Sequence, residues 1–172
     1  MHKIILVGYM GVGKTTISQL LAQKTGYACV DLDQKIEKEE NATISEIFKQ
    51  KGEIYFRRKE SQWFKELVTS PGNLIISTGG GTPCYADNHM LLNGKGVVSV
   101  YLKASIDLLF ERLRNNTKER PLVAQYTDTE LKEFIAKNLF DRSYFYNQST
   151  YIVTVDGKLP ETIADEILQI LS

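Results

Sequence analysis

The sequence predicts an α/β protein built on a parallel sheet covered by helices on both faces. Two observations lead there. Five short apolar runs alternate with amphipathic helical stretches along the 172 residues, the pattern of parallel strands joined by crossover helices. The stretch Gly8-Tyr9-Met10-Gly11-Val12-Gly13-Lys14-Thr15 fits G-x-x-x-x-G-K-[ST], and it stands between an apolar run and a helical segment. That context is the one in which the pattern carries meaning.

The first run is Lys3-Ile4-Ile5-Leu6-Val7. In the loop after it, glycines let backbone N–H groups converge on an anion, and the next helix N-terminus adds donors and partial positive charge. Lys14 supplies a cation for terminal phosphates, and the Thr15 hydroxyl suits a Mg²⁺ shell. A nucleoside triphosphate with Mg²⁺ is the expected ligand. The helix from Thr16 to Thr25 carries Ile17, Leu20 and Leu21 at helical spacing and stops at Gly26, a natural left-handed terminator.

Tyr27-Ala28-Cys29-Val30 reads as a second strand running out through Asp31-Leu32-Asp33, and a helix follows to Glu40, broken at Asn41. Thr43-Ile44-Ser45-Glu46 is a capping box opening a short helix that ends near Gly52. Glu53 to Val68 is helical again, and Pro71-Gly72 is a turn. Asn73–Ser77 is the third strand, running into Thr78-Gly79-Gly80-Gly81, and Gly96–Leu102 is the fourth. Ser105 caps a helix with the stripe Ile106, Leu109, Phe110 and Leu113. The polar stretch from Arg114 to Asp128 reads as a mobile surface loop. A long helix from about Thr129 to Tyr146, a fifth strand Tyr151–Val155, and a helix opened by Pro160 with Ile163, Ile167 and Leu171 inward complete the chain, which reads as one domain.

Hydrophobic content of 42% and charged content of 24% are ordinary for a soluble globular protein. Lysine and arginine total 21 and aspartate and glutamate 21, so net charge is zero, against a nucleic-acid partner. No apolar run is long enough to span a membrane and no signal-peptide pattern is present, which points to the cytoplasm. Cys29 and Cys84 fit neither a C-x-x-C pair nor a disulfide framework and are expected to be reduced thiols without a role.

Ligands of parallel sheets bind at the carboxyl ends of the strands. After the second strand, Asp31 and Asp33 would project to the same side of an extended segment. The third strand ends without a carboxylate, so Asp31 is the candidate metal acid and Asp33 the group that orients an acceptor hydroxyl and takes its proton. The alternative is a helix N-cap pair. The three glycines suit close approach of a ligand, or a plain turn. On the Glu53–Val68 helix, Arg57 lies about 20° from Phe64 and Val68, and Glu60 about as close to Leu67. Both charges face inward and can pair at i, i+3. On the long helix Arg142 lies about 20° from Leu131 and Ile135. Inward guanidinium groups suit a carboxylate ligand, or structural ion pairs. Arg120 is either a solvated surface charge or a lid arginine that closes on the transferring phosphoryl group. Arg114 and Pro160 are candidates to flank an adenine ring.

Taken in order, the phosphate loop, Asp31/Asp33, Gly52-Glu53-Ile54-Tyr55-Phe56-Arg57-Arg58-Lys59-Glu60, Gly79–Gly81, Arg120-Pro121-Leu122, and Arg142 with Tyr146 resemble the shikimate kinase family over nearly the whole chain. The resemblance implies a nucleoside-monophosphate-kinase-like fold: three layers around a five-stranded parallel sheet in order 2-3-1-4-5, with a lid at about 114–128 and substrate-binding helices at about 33–62. It implies transfer of the ATP γ-phosphate to the 3-hydroxyl of shikimate, a step of aromatic amino acid biosynthesis by way of chorismate, by a monomer with no nucleic-acid or membrane partner. Asp33, Arg57, Arg142 and the glycines Gly79, Gly80 and Gly81 would hold shikimate. Gly11, Val12, Gly13, Lys14, Thr15 and Thr16 would hold ATP with Arg114, Arg120 and Pro160. Lys14, Asp33 and Arg120 would be catalytic, and Thr15 and Asp31 would serve Mg²⁺.

The chain departs from the family's habit in three places: Asn41 in place of Gly, Thr82-Pro83-Cys84-Tyr85 in place of small apolar residues, and Tyr144 in place of a common proline. Two other readings remain in play. A kinase of another small hydroxy acid, such as gluconate, would share the loop and lid but not Arg57 with Phe56 and Glu60. A nucleotide-binding regulatory module would be expected to lose Lys14, Asp33 or Arg120, and all three are present. A GTP switch would carry Asn-Lys-x-Asp, which is absent.

Overall fold

A computed structural model of the chain describes residues 2–116 and 124–172. Strand β1 (Lys3–Val7) is buried along its whole length, as expected for the middle of a sheet covered on both faces. Its one charged residue, Lys3, is 1% exposed and carries its ammonium to the Gly72 carbonyl at 2.7 Å. Around β1 lie β2 (Ala28–Asp31), β3 (Leu74–Ser77), β4 (Val97–Lys103) and β5 (Tyr151–Thr154), in the order β2-β3-β1-β4-β5. Every pairing is parallel, with Ile5 opposite Ile76 on one side and Ser99 on the other. The sheet order implied by the resemblance is therefore the order observed.

The helices are α1 (Lys14–Thr25), α2 (Leu32–Glu40), α3 (Ile44–Thr69), α4 (Ile106–Asn115), α5 (Asp128–Tyr146) and α6 (Pro160–Leu171), with short 3-10 turns at Thr82–Cys84 and Asn88–Leu91. Their ends follow local chemistry. Gly26 ends α1 at φ 73° and Asn41 ends α2 at φ 50°, so asparagine does supply the left-handed turn. Thr43 and Glu46 form the capping box of α3, and Ser105 accepts a hydrogen bond from the Leu108 N–H at the start of α4. A second capping box, Thr127 with Glu130, opens α5. At Gly52 (φ 85°, ψ 169°) α3 breaks and resumes, as the sequence leads one to expect.

Two expectations are corrected. Asp33 does not lie on an extended segment: the strand ends at Asp31, and Asp33 stands in the first turn of α2. Ile106 stays 39% exposed because it opens α4, and the buried stripe begins one turn later at Leu109, Phe110 and Leu113. At the chain's end Ile163 and Ile167 are buried, and Leu171 packs against the core only in part. Both cysteines are unpaired, and burial pushes the Cys84 thiol up to about 11, which makes it unreactive near neutrality. Among the described residues no helix is long and apolar enough to cross a membrane.

Candidate active site

The phosphate loop leaves β1 at Gly8, where a Cβ would stand 2.7 Å from the Leu102 carbonyl oxygen. Only glycine lets the loop pass this close to the neighbouring strand. The loop enters α1 through Gly13 at φ 104°, a position with no side-chain cap. The first N–H groups of α1 are thus left to point at an anion. Lys14 folds back over the loop and donates to the carbonyls of Gly8 at 2.5 Å and Tyr9 at 3.1 Å. A polar cavity of about 410 Å³ opens above, lined by Met10, Gly11, Gly13, Lys14, Thr15, Thr16, Asp31, Asp33, Thr78, Gly79, Gly80 and Asn116.

At its edge the Thr15 hydroxyl donates to Asp31 Oδ2 at 2.8 Å, while Asp31 Oδ1 accepts the Gln34 N–H at 3.0 Å. Asp31 is thus the N-cap of α2 and also the carboxylate nearest the loop hydroxyl. The cap and metal readings do not exclude each other, because one oxygen serves each. A hydroxyl and one carboxylate beside a phosphate cradle fit Mg²⁺, which keeps several waters and takes few protein ligands.

A second cavity, of about 160 Å³, adjoins the first and is lined by Ile44, Phe48, Phe56, Arg57, Glu60, Gly81 and Arg142 together with Met10, Asp33, Gly79 and Gly80. Those last four line both cavities. Asp33 stands at the junction although its backbone is helical, because the first turn of α2 swings its side chain over Gly79. Burial pushes the Asp33 carboxyl up to about 6, the charges of Glu60 and Asp31 push the same way, and Lys14 opposes them.

The triple glycine is a matter of space. A Cβ on Gly79 would stand 2.9 Å from Asp33 Oδ1, one on Gly80 3.2 Å from Arg142 Nη1, and one on Gly81 2.8 Å from Arg57 Nη1. Each glycine therefore seats one of the charged side chains Asp33, Arg142 and Arg57 that, with Glu60, face the second cavity. Tyr146, 0% exposed, supports this floor from below by donating to the Gly80 carbonyl at 2.5 Å.

Both arginines face inward as their helical spacing predicts. Arg57 Nη1 donates to Glu60 Oε1 at 2.9 Å, and the other Glu60 oxygen accepts the Thr82 hydroxyl at 2.9 Å. Arg142 lies 5.6 Å from the Tyr9 ring centroid, and among the described residues no carboxylate pairs with it. Arg142, with no carboxylate paired to it among the described residues, and Arg57 beside it offer guanidinium donors to an anionic ligand in this cavity.

The nucleotide side departs from expectation. Arg114 pairs with Asp128 at 3.5 Å and Glu111 at 3.9 Å, and it is not among the residues that line the cavity beside Pro160. The arginine beside Pro160 is Arg112, in a cavity of about 170 Å³ with Val12, Gly13, Thr16, Ile17, Lys158 and Ile163. Arg112 Nη1 also braces the back of the phosphate loop, donating to the Gly11 carbonyl at 3.1 Å and the Val12 carbonyl at 2.9 Å. Periodicity offers no choice between the two: each lies about 100° from the centre of the Leu109–Phe110–Leu113 stripe, on opposite sides. Arg120, with Pro121 and Leu122, lies outside the described residues, and so does part of the expected lid.

Comparison with known proteins supplies the family. A family model described as "Shikimate kinase" matches residues 10–172. The chain is similar to a shikimate kinase of Flavobacterium johnsoniae, 54% identical over 172 residues that cover the whole of both chains. Among solved structures it is similar to shikimate kinase from Bacteroides thetaiotaomicron, with a TM-score of 0.91 and 36% identity over 99% of this chain and 98% of that one. It is also similar to shikimate kinase from Acinetobacter baumannii in complex with shikimate, with a TM-score of 0.88 and 32% identity over 99% of this chain and 93% of that one.

Proposed function

The chain belongs to the shikimate kinase family, and from that premise we propose how its residues divide the reaction. Its activity is that of a shikimate kinase: it moves the γ-phosphate of ATP to the 3-hydroxyl of shikimate. The observation that carries the assignment of residues is the position of Asp33, shared by a phosphate cavity on one side and a cavity with two inward arginines on the other.

ATP lies along the loop with its phosphates toward the α1 N-terminus and Lys14, and its base beside Pro160 and Arg112. Shikimate lies in the smaller cavity with its carboxylate on Arg57 and Arg142 and its reacting hydroxyl at Asp33. A carboxylate whose affinity for protons is raised to about 6 is ionised near neutrality yet accepts a proton more readily than an ordinary aspartate, which suits a general base. As the acceptor oxygen bonds to phosphorus and the bridging bond to ADP breaks, Asp33 takes the hydroxyl proton and Lys14 balances charge on the phosphate oxygens. Thr15 and Asp31 would hold Mg²⁺, which would supply neutralisation of phosphate charge. Arg120 joins the transferring phosphate on sequence grounds alone.

The proposed residues all come from one chain, so a monomer suffices. One domain, acting in the cytoplasm, completes the reading. The test is ADP release with a panel of acceptors. Shikimate is expected to exceed gluconate and quinate by orders of magnitude in kcat/KM, and gluconate turning over better than shikimate would overturn the reading.

A further inference from the structure

Arg57 is the partition between two spaces. On its inner side is the cavity with Arg142 and Asp33. On its outer side is an open groove of about 840 Å³ lined by Glu53, Ile54, Arg58, Ser61, Gln62 and Tyr85. The guanidinium has an anchor on each side. Glu60, 1% exposed, holds Nη1 at 2.9 Å, while Glu53, whose side chain is 56% exposed, draws Nε outward at 3.6 Å. The one guanidinium thus touches a carboxylate on each side, and only the Glu60 contact, which meets hydrogen-bond geometry, lies on the inner cavity.

The Tyr85 ring settles the direction. Arg57 Cζ lies 3.9 Å from its centroid, nearer than to Phe56 at 5.2 Å or Phe48 at 5.9 Å. The planar cation is thus stacked on the face of the ring. Backbone strain accompanies this placement of the ring. Directly after Tyr85, Ala86 and Asp87 take φ values of 52° and 55°, unfavourable for residues with a Cβ and persistent only where neighbours enforce them. The enforcing neighbour is Asn88, 1% exposed. Its N–H donates to the Tyr85 carbonyl at 3.0 Å, its amide donates to the Thr82 carbonyl at 2.9 Å, and it accepts the Ser61 hydroxyl at 2.8 Å.

We propose that Tyr85 is a positioning residue for acceptor recognition: stacked on Arg57, it keeps the guanidinium turned into the inner cavity and out of the groove. This rests on the reading that Arg57 binds the shikimate carboxylate. Loss of the stack lets Arg57 swing toward Glu53, so shikimate must draw it back on binding. The cost falls on binding of shikimate and leaves the phosphate loop untouched.

The experiment is a set of initial-rate measurements on Tyr85→Ala, Tyr85→Phe, Arg57→Ala and the Tyr85→Ala/Arg57→Ala double variant, varying shikimate and ATP separately. Tyr85→Ala is expected to raise the KM for shikimate about three- to tenfold, as loss of one cation–π contact implies, with a smaller change in kcat and in the KM for ATP. Tyr85→Phe is expected to restore wild-type values, since the ring face and not the hydroxyl makes the contact. In the Arg57→Ala background, where kcat/KM for shikimate is expected to fall about a hundredfold or more, Tyr85→Ala should add less than about twofold. If Arg57→Ala lowers kcat/KM and Tyr85→Ala leaves KM unchanged, the positioning role is wrong and the carboxylate reading survives. If Arg57→Ala itself has no effect, the carboxylate reading fails and the proposal with it. An undiminished Tyr85→Ala effect in the double variant, or parallel losses for both substrates, would mean that the ring supports the fold or touches shikimate, and either would overturn the proposal.

Discussion

Asp33→Asn should make this enzyme more stable at neutral pH while nearly abolishing turnover. The carboxyl is partly buried beside Glu60 and Asp31, and its pKa is raised from 3.8 to about 6. A raised carboxyl pKa means that the folded state binds the proton more tightly than the unfolded chain. The contribution to stability is therefore fully present below about pH 4 and is lost as pH rises through about 6. At neutrality the ionised, half-sequestered carboxylate thus costs the fold about 3 kcal/mol. Asparagine keeps the shape and removes the charge but still buries an amide, so about 1–2 kcal/mol should be recovered.

For a chain of this size that is a rise in Tm of about 3–8 °C. The assay is urea unfolding of both proteins between about pH 4 and 8, the range that brackets the titration. Comparing the two removes the titration of all other carboxylates, and the variant should pass from about 1–2 kcal/mol less stable than wild type at about pH 4, where the buried carboxyl is protonated, to about 1–2 kcal/mol more stable by about pH 7.5. In parallel kcat should fall by at least about 10² with ATP binding retained, and in the wild type the acidic limb of kcat/KM should lie near pH 6, where Asp33 titrates. A stability difference that does not change with pH, or a variant less stable than wild type at neutrality, would refute the electrostatic account of Asp33.

The metal assignment is checked by Asp31→Asn: the Mg²⁺ concentration needed for half-maximal rate should rise at least about tenfold, and helix α2 should lose little stability because asparagine also caps. An unchanged Mg²⁺ requirement would remove Asp31 from that role. On the nucleotide side, Arg112→Ala should raise the KM for ATP about tenfold or more, through the lost brace on the Gly11 and Val12 carbonyls and the lost wall beside Pro160. Arg114→Ala, which breaks exposed ion pairs and a contact over the Phe110 ring at 5.6 Å, should change it less than about twofold, and the reverse ranking would restore Arg114 to the adenine side.

Glu60 links the two halves of the site. Almost fully buried, it orients Arg57 through one oxygen and ties the Thr82 turn through the other, and its charge helps to raise Asp33. One carboxylate therefore both holds the Arg57 guanidinium and adds to the rise in proton affinity that burial gives Asp33. Such coupling is possible because three glycines let Asp33, Arg142 and Arg57 crowd against one stretch of backbone. At the carboxyl end of the parallel sheet that stretch also lines both cavities.

The sequence by itself determined what depends on near neighbours. The anion-binding loop at Gly8–Thr15, the left-handed turns at Gly26 and Asn41, the break at Gly52, the caps at Thr43 and Ser105 and the inward faces of Arg57 and Arg142 all follow from interactions within a turn or two of chain. Those interactions survive any rearrangement of distant parts. The tertiary structure decided what depends on which surfaces meet. The end of β2 came two residues too early for Asp31 and Asp33 to share an extended edge, and packing of α2 brought Asp33 to the cleft by a different route. The choice of Arg112 over Arg114 was made by the phosphate loop passing on one side of α4 and Asp128 on the other, while periodicity left the two equivalent. The stack of Tyr85 on Arg57 joins residues 28 positions apart through a strained turn that no local rule demands, so its cause is visible only when α3 and the Thr82–Leu91 segment are seen against each other.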